Sequence, residues 1–127
     1  MSLVSHHDIL VLEDDMTLGQ LLCDMIRIYR IGQPQLSLSE VDCCQMLEGQ
    51  SFDICLFAIK LRGKACDAAI TAANARGIPV LLLSDGEDRD ALSVYPDRGM
   101  LVQKPASEDD IRMAMEQLLL REPARQA

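Results

Sequence analysis

The sequence has no tryptophan, two phenylalanines and two tyrosines. A core must therefore be built from Leu, Ile, Val, Ala and Met. Positive charge is also scarce: 12 Lys and Arg stand against 20 Asp and Glu, a net charge of −8. That balance argues against a domain that binds nucleic acid by itself, because phosphate contacts need clustered cations. Proteins are the expected partners. No apolar run approaches the length of a membrane span, and a basic-then-apolar leader pattern is missing, so a cytoplasmic protein without membrane association is expected. The five cysteines, Cys23, Cys43, Cys44, Cys55 and Cys66, are odd in number, lack metal-type spacing and mostly fall inside apparent helices or strands. Buried, reduced thiols follow. The adjacent His6 and His7 point in different directions and define no metal site.

What is present is a soluble, globular composition, 49% hydrophobic and 25% charged over 127 residues. This length suits one buried core and is too short for two ordinary domains, so residues 1–127 read as a single domain. Its core runs from about 8 to 120, with frayed N-terminal residues and a frayed tail after 122. Asp8-Ile9-Leu10-Val11-Leu12 stops abruptly at Glu13, Asp14 and Asp15, like a buried parallel strand emerging into a loop. Leu18, Leu21, Leu22, Met25, Ile26 and Tyr29 recur at helical spacing and predict a first helix ending near Gly32.

Gln35 to Leu38 alternates polar and apolar, as an edge strand does, and Ser39 can cap a short helix closing at Gly49. Phe52 to Ile59 reads as a central third strand. After the Arg62-Gly63-Lys64 turn, Ala65 to Arg76 predicts a helix ended by Gly77. Ile78 to Leu83 is a fourth strand, Asp85 to Ser93 a weak fourth helix, and Met100 to Gln103 a fifth strand. Ser107, with Asp110 three residues on, opens a last helix. Strands alternating with helices in this way predict an α/β fold with a doubly wound, five-stranded parallel sheet covered by helices on both faces.

In such a sheet, functional groups converge at the carboxyl ends of the strands. Those ends carry Glu13-Asp14-Asp15, Ala58, Ser84 and Lys104-Pro105. From about Asp8 to Leu120 this arrangement resembles the receiver domain of two-component response regulators. The resemblance implies the flavodoxin-like strand order 2-1-3-4-5. It also implies an acidic pair, matching Glu13 and Asp14, that holds a divalent cation. Ser84 and Lys104 match the groups that contact the phosphoryl group, and a cis Lys104-Pro105 peptide would aim the lysine at the acids. The phosphate-accepting aspartate falls on Ala58. Arg62 stands where the family often has Pro, and Leu101 where it has Tyr or Phe.

The expectation is thus a receiver-like domain of a phosphorelay pathway that has lost phosphoryl acceptance, is not an enzyme and acts by protein binding. Its partners would be a histidine kinase, a phosphotransfer protein or an output protein, or a second copy of itself. The resemblance places docking on the last helix, the fifth strand and the fourth helix. Without a carboxylate from Ala58, Glu13 and Asp14 would bind Mg²⁺ weakly at best, leaving no firm cofactor. Asp15 reads as the solvated start of the first helix, and Ser84 equally as a cap of the weak fourth one. Lys104 should be held by the three acids, and Lys60 could supply a second ammonium. Asp53 lies at the wrong end of its strand to replace the acceptor.

Two rivals remain. Ala58 could be an introduced change in a phosphorylatable regulator. Glu13, Asp15, Met16, Thr17, Ser84 and Lys104 also loosely resemble the motifs of haloacid-dehalogenase phosphohydrolases, although that family's nucleophile is an aspartate where this chain has Glu13.

Overall fold

A computed structural model of the protein describes residues 7–120 apart from 87 and 105. The expected frayed ends, His6 and the geometry of the Lys104-Pro105 peptide lie outside the described residues. In chain order the elements are β1 (His7–Leu12), α1 (Met16–Ile28), β2 (Gly32–Ser37), α2 (Glu40–Gly49), β3 (Ile54–Ala58), β4 (Lys60–Leu61), β5 (Lys64–Ala65), α3 (Asp67–Ala75), β6 (Val80–Ser84), β7 (Gly99–Gln103) and α4 (Glu108–Leu120). The main sheet is parallel with order β2-β1-β3-β6-β7. With the small β4–β5 hairpin set aside, this is the expected 2-1-3-4-5.

Strand alternation sorts the apolar side chains into two cores. Leu10, Leu12, Cys55, Phe57, Val80 and Leu82 face α2 and α3. Ile9, Val11, Ile54, Leu56, Leu81 and Leu83 face α1 and α4. Burial on both faces explains why β1, β3 and β6 read as continuous apolar runs. Two helix starts follow their sequence signals. The Ser39 hydroxyl accepts from the Asp42 N–H at 3.1 Å. Ser107 and Asp110 cap reciprocally: each side chain accepts from the other's N–H, at 3.0 and 3.2 Å.

Three expectations are corrected. Strand two begins at Gly32 rather than Gln35 and includes Pro34, which is tolerable because β2 is an edge. The Arg62-Gly63-Lys64 turn is the tip of the antiparallel β4–β5 hairpin, and α3 begins only at Asp67. The fourth helix expected over Asp85–Ser93 does not form; a single 3₁₀ turn covers Asp88–Ala91.

Pro96 sets an outer limit on any helix in this stretch. A residue before proline is driven out of the α region, which excludes Tyr95 from any extension. The chain instead runs along α3, held at both ends of that helix. Asp67 accepts from the Ser93 and Val94 N–H groups at 2.9 and 3.3 Å. Asn74 donates to the Tyr95 carbonyl at 3.0 Å and accepts from the Asp97 N–H at 2.8 Å. Leu92 is buried against the α3 side of the core. A helix-based docking face there, which the family resemblance implied, is therefore replaced by an extended strap.

Four of the five cysteines are apolar filler as expected, whereas Cys44 is only half-buried on α2. Cys43, Cys55 and Cys66 are fully buried in one core and Cys23 in the other. Burial pushes the Cys66 thiol up to about 12, and that of Cys43 higher still, so neither is a thiolate at neutral pH.

Candidate functional site

The register brings the carboxyl ends of β1, β3, β6 and β7 to one edge. Leu12 pairs with Phe57, so Glu13 and Ala58 come next on adjacent strands, which lie about 5 Å apart. Ala58 pairs with Leu83, and Ser84 with Gln103, just before Lys104. The Lys104 N–H donates to the Ser84 carbonyl at 2.7 Å and closes that end of the sheet. Glu13, Asp14, Ala58, Ser84 and Lys104, far apart in sequence, are thus gathered. Asp53 sits at the opposite end, where its carboxylate accepts from the Asp8 N–H at 2.7 Å.

This fold recurs in solved structures. The receiver domain of a sensor histidine kinase from Pseudomonas aeruginosa PAO1, which holds a magnesium ion in its active site cleft, is 17% identical, with a TM-score of 0.79 over 91% of this chain and 98% of that one. A CheY-like receiver domain from Methanospirillum hungatei JF-1 is 18% identical, with a TM-score of 0.75 over 91% and 94% of the two chains. SdrG from Sphingomonas melonis Fr1 is 25% identical, with a TM-score of 0.73 over 94% and 100%. No protein-family model and no curated protein sequence matches the chain, so the likeness is carried by shape. The chain has the receiver-domain fold.

Within that receiver fold, the three acids after β1 have separate tasks. Asp15 caps α1, accepting from the Leu18 N–H at 3.1 Å. Asp14 turns to the hairpin and accepts from the Arg62 N–H at 2.8 Å. Glu13 is 4% exposed and accepts from the Asp15 N–H at 2.9 Å. Burial raises the Glu13 carboxyl above its ordinary range; the Asp15 N–H opposes this, a hydrogen bond shared with Asp14 adds to it, and the Lys104 charge opposes it again. Among the described residues no acid forms an ion pair with Lys104 within 4 Å, so the expected grip of three acids reduces to the field between Lys104 and Glu13. Lys60 is exposed on the hairpin.

Ser84 is fully buried. Its hydroxyl donates to the Asp88 carboxylate at 2.7 Å and accepts from the Gly86 N–H at 2.9 Å. Asp88, 5% exposed, also accepts from the Asp85 N–H at 3.2 Å. Sequence reasoning missed Asp88 because it lies in a polar stretch read as a weak helix. The available signal was its spacing, four residues after a strand-ending serine. Leu101, at the family's aromatic position, is 36% exposed on the edge strand β7.

The donor set fits a divalent cation poorly. Mg²⁺ demands near-octahedral oxygen coordination. Here one oxygen of the Asp14 carboxylate already accepts from a backbone amide, burial makes Glu13 harder to ionise, and the third strand end carries a methyl group. Among the described residues no three His, Cys, Asp or Glu side chains are grouped to hold a metal ion.

Glu13 yields a pH prediction. A carboxyl whose folded pKa is raised favours the folded state at low pH, and this contribution is lost as pH climbs from the unfolded value through the raised one. Gln at position 13 keeps an acceptor for the Asp15 N–H and cannot ionise. Glu13→Gln should therefore be more stable than the parent near neutral pH, with the gap closing below about pH 4. Urea unfolding across pH checks this; a gap independent of pH would remove the buried Glu13 charge from the account.

Proposed function

We propose that this protein is a receiver-like module that does not accept a phosphoryl group and works by binding a protein of a phosphorelay pathway. The partner would be a histidine kinase, a phosphotransfer protein or an output protein. The observation that carries this reading is Ala58, whose methyl group occupies the end of β3 beside Glu13. Acyl-phosphate formation needs a carboxylate nucleophile in line with the donor. The remaining groups have taken up structural work that supports the same reading: Asp14 holds the hairpin tip, Ser84 is tied to Asp88, and Glu13 braces the start of α1.

The gathering of Glu13, Ser84 and Lys104 at one edge favours, as a second reading, a phosphorylatable receiver in which Ala58 is an introduced replacement of the acceptor aspartate. The departures at Arg62 and Leu101, and the strap in place of a fourth helix, argue for a chain adapted to life without the acceptor. A phosphohydrolase reading would need Glu13 as nucleophile, yet that side chain is buried and already hydrogen-bonded. The domain is not proposed to be an enzyme or to need a cofactor. Among the described residues no helix is long and apolar enough to cross a membrane; a cytoplasmic location belongs to the same proposal.

The test is incubation with a small phosphodonor and Mg²⁺, followed by intact-mass analysis. An unchanged mass is expected. A stoichiometric phosphoryl adduct on any aspartate would overturn the reading.

A further inference from the structure

The sheet ends in two edges, β2 and β7, and they are defended differently. On β2 the Ser37 carbonyl accepts from the Glu13 N–H, so odd-numbered residues face β1 and Pro34 stands in the outer row. Its missing N–H blunts that edge against strand pairing. β7, Gly99-Met100-Leu101-Val102-Gln103, carries no proline and no charge. The Arg98 carbonyl accepts from the Val80 N–H at 2.8 Å and the Lys104 N–H donates to the Ser84 carbonyl, so even-numbered residues there point their N–H and C=O groups at β6. Gly99, Leu101 and Gln103 point theirs away from the sheet. Among the described residues nothing hydrogen-bonds to those outward groups.

The side chains of that outward row lie on the α3 face, because Met100 and Val102 between them pack against the α1 and α4 core. There the missing fourth helix leaves a gap. A Cβ at Gly99 would come within 2.6 Å of the Pro96 Cβ, so the strap closes over one end of β7. A Cβ at Gly86 would lie 3.1 Å from the Gln103 Nε2, so the loop after β6 closes over the other. Between them Leu101 stays exposed.

We infer that β7 is the pairing edge for a second copy of this chain, joined antiparallel about a two-fold axis at Leu101 so that two five-stranded sheets become one. This goes beyond the binding reading above and holds whether or not position 58 accepts a phosphoryl group. The strand is complementary to itself under that axis. Leu101 meets its own counterpart as a hydrogen-bonded pair, and its aliphatic side chain gains the cover that the sheet lacks there. Gly99 of one copy faces Gln103 of the other, the residue without a side chain against the longest of the row. The outward N–H and C=O groups of all three residues find partners. Charge does not oppose the contact locally, because the cations at the strand's ends are engaged elsewhere. The Arg98 guanidinium donates to the Gly77 carbonyl at 2.6 Å, and the Lys104 charge acts on Glu13. A two-fold contact of this kind closes at two copies and leaves only the β2 edges, with Pro34, at the ends of the joined sheet.

The measurement is sedimentation of the whole chain over a range of concentrations, paired with amide hydrogen exchange read residue by residue. An equilibrium of monomer and dimer is expected, tightening as salt rises because each copy carries a net charge of −8. The Gly99, Leu101 and Gln103 amides should exchange about tenfold more slowly in the dimer than in the dilute monomer. Leu101→Lys sets two ammonium groups opposite each other and should raise the dissociation constant about tenfold. Since Leu101 is exposed, the melting temperature of the dilute variant should match that of the parent, and Leu101→Ile, a strand former of similar volume, should keep the dimer. A chain that stays monomeric at every concentration leaves the edge to water or to another protein and overturns the inference. So does a dimer whose three edge amides exchange as freely as in the monomer, or one that Leu101→Lys leaves intact.

Discussion

Ala58→Asp should destabilise the domain in the absence of divalent metal and respond to Mg²⁺ far more than the parent does. The methyl group of Ala58 is almost wholly buried next to Glu13 on the neighbouring strand. A new carboxylate there meets an acid that burial already makes reluctant to ionise. Two carboxylates about 4 Å apart at an effective dielectric near 20 repel by about 4 kcal/mol before relaxation. Lys104, whose charge already acts on Glu13, offsets part of this. Partial protonation relieves more, so a net loss of roughly 1 to 3 kcal/mol is expected. Mg²⁺ then stabilises the variant by mass action, because it binds only the folded cluster. Thermal melts of parent and variant with and without Mg²⁺ are the measurement. Equal responses would mean that position 58 does not face Glu13, and the assignment of the missing acceptor would fail.

Asp88→Ala should cost a comparable amount through a different mechanism. The Ser84 hydroxyl and the Asp85 N–H both donate to the Asp88 carboxylate, and Ser84 is fully buried. Removing the acceptor strands a buried donor, which costs about 1 to 3 kcal/mol, with a charged acceptor at the upper end. Ser84→Ala should also destabilise, since it leaves the Gly86 N–H without its acceptor and the buried Asp88 carboxylate with the Asp85 N–H alone, and combining the two changes should cost less than the sum of the single ones. Denaturant unfolding of the single and double variants forms the required cycle. Strict additivity would show that the bond does not stabilise the β6 end, and would return Ser84 to candidacy as a group kept for the site.

The strands were legible because each is a short aliphatic run ended by turn chemistry, and because burial on both faces writes itself into composition. The Ser39 and Ser107 caps were legible because capping is local: donor and acceptor lie three residues apart. The strand ends likewise pointed to one edge, since a parallel sheet leaves few other ways to arrange alternating elements. What failed was also physical. The stretch after β6 looks helical by polarity, but Pro96 and the side chains of Asp67 and Asn74, about twenty to thirty residues away, decide its course. The hairpin tip looked like a simple turn because its stabilising contact, Asp14 to the Arg62 N–H, spans 48 residues.

By itself, then, the sequence determined the layered α/β architecture, the two-sided burial of the central strands and the placement of Ala58 at the end of one of them. Only the tertiary structure decided what the surviving polar groups do. Glu13, Asp14 and Ser84 read alike as members of one site. Whether each remains available depends on long-range partners, such as an amide on the hairpin and a carboxylate in the next loop, that spacing along the chain does not encode.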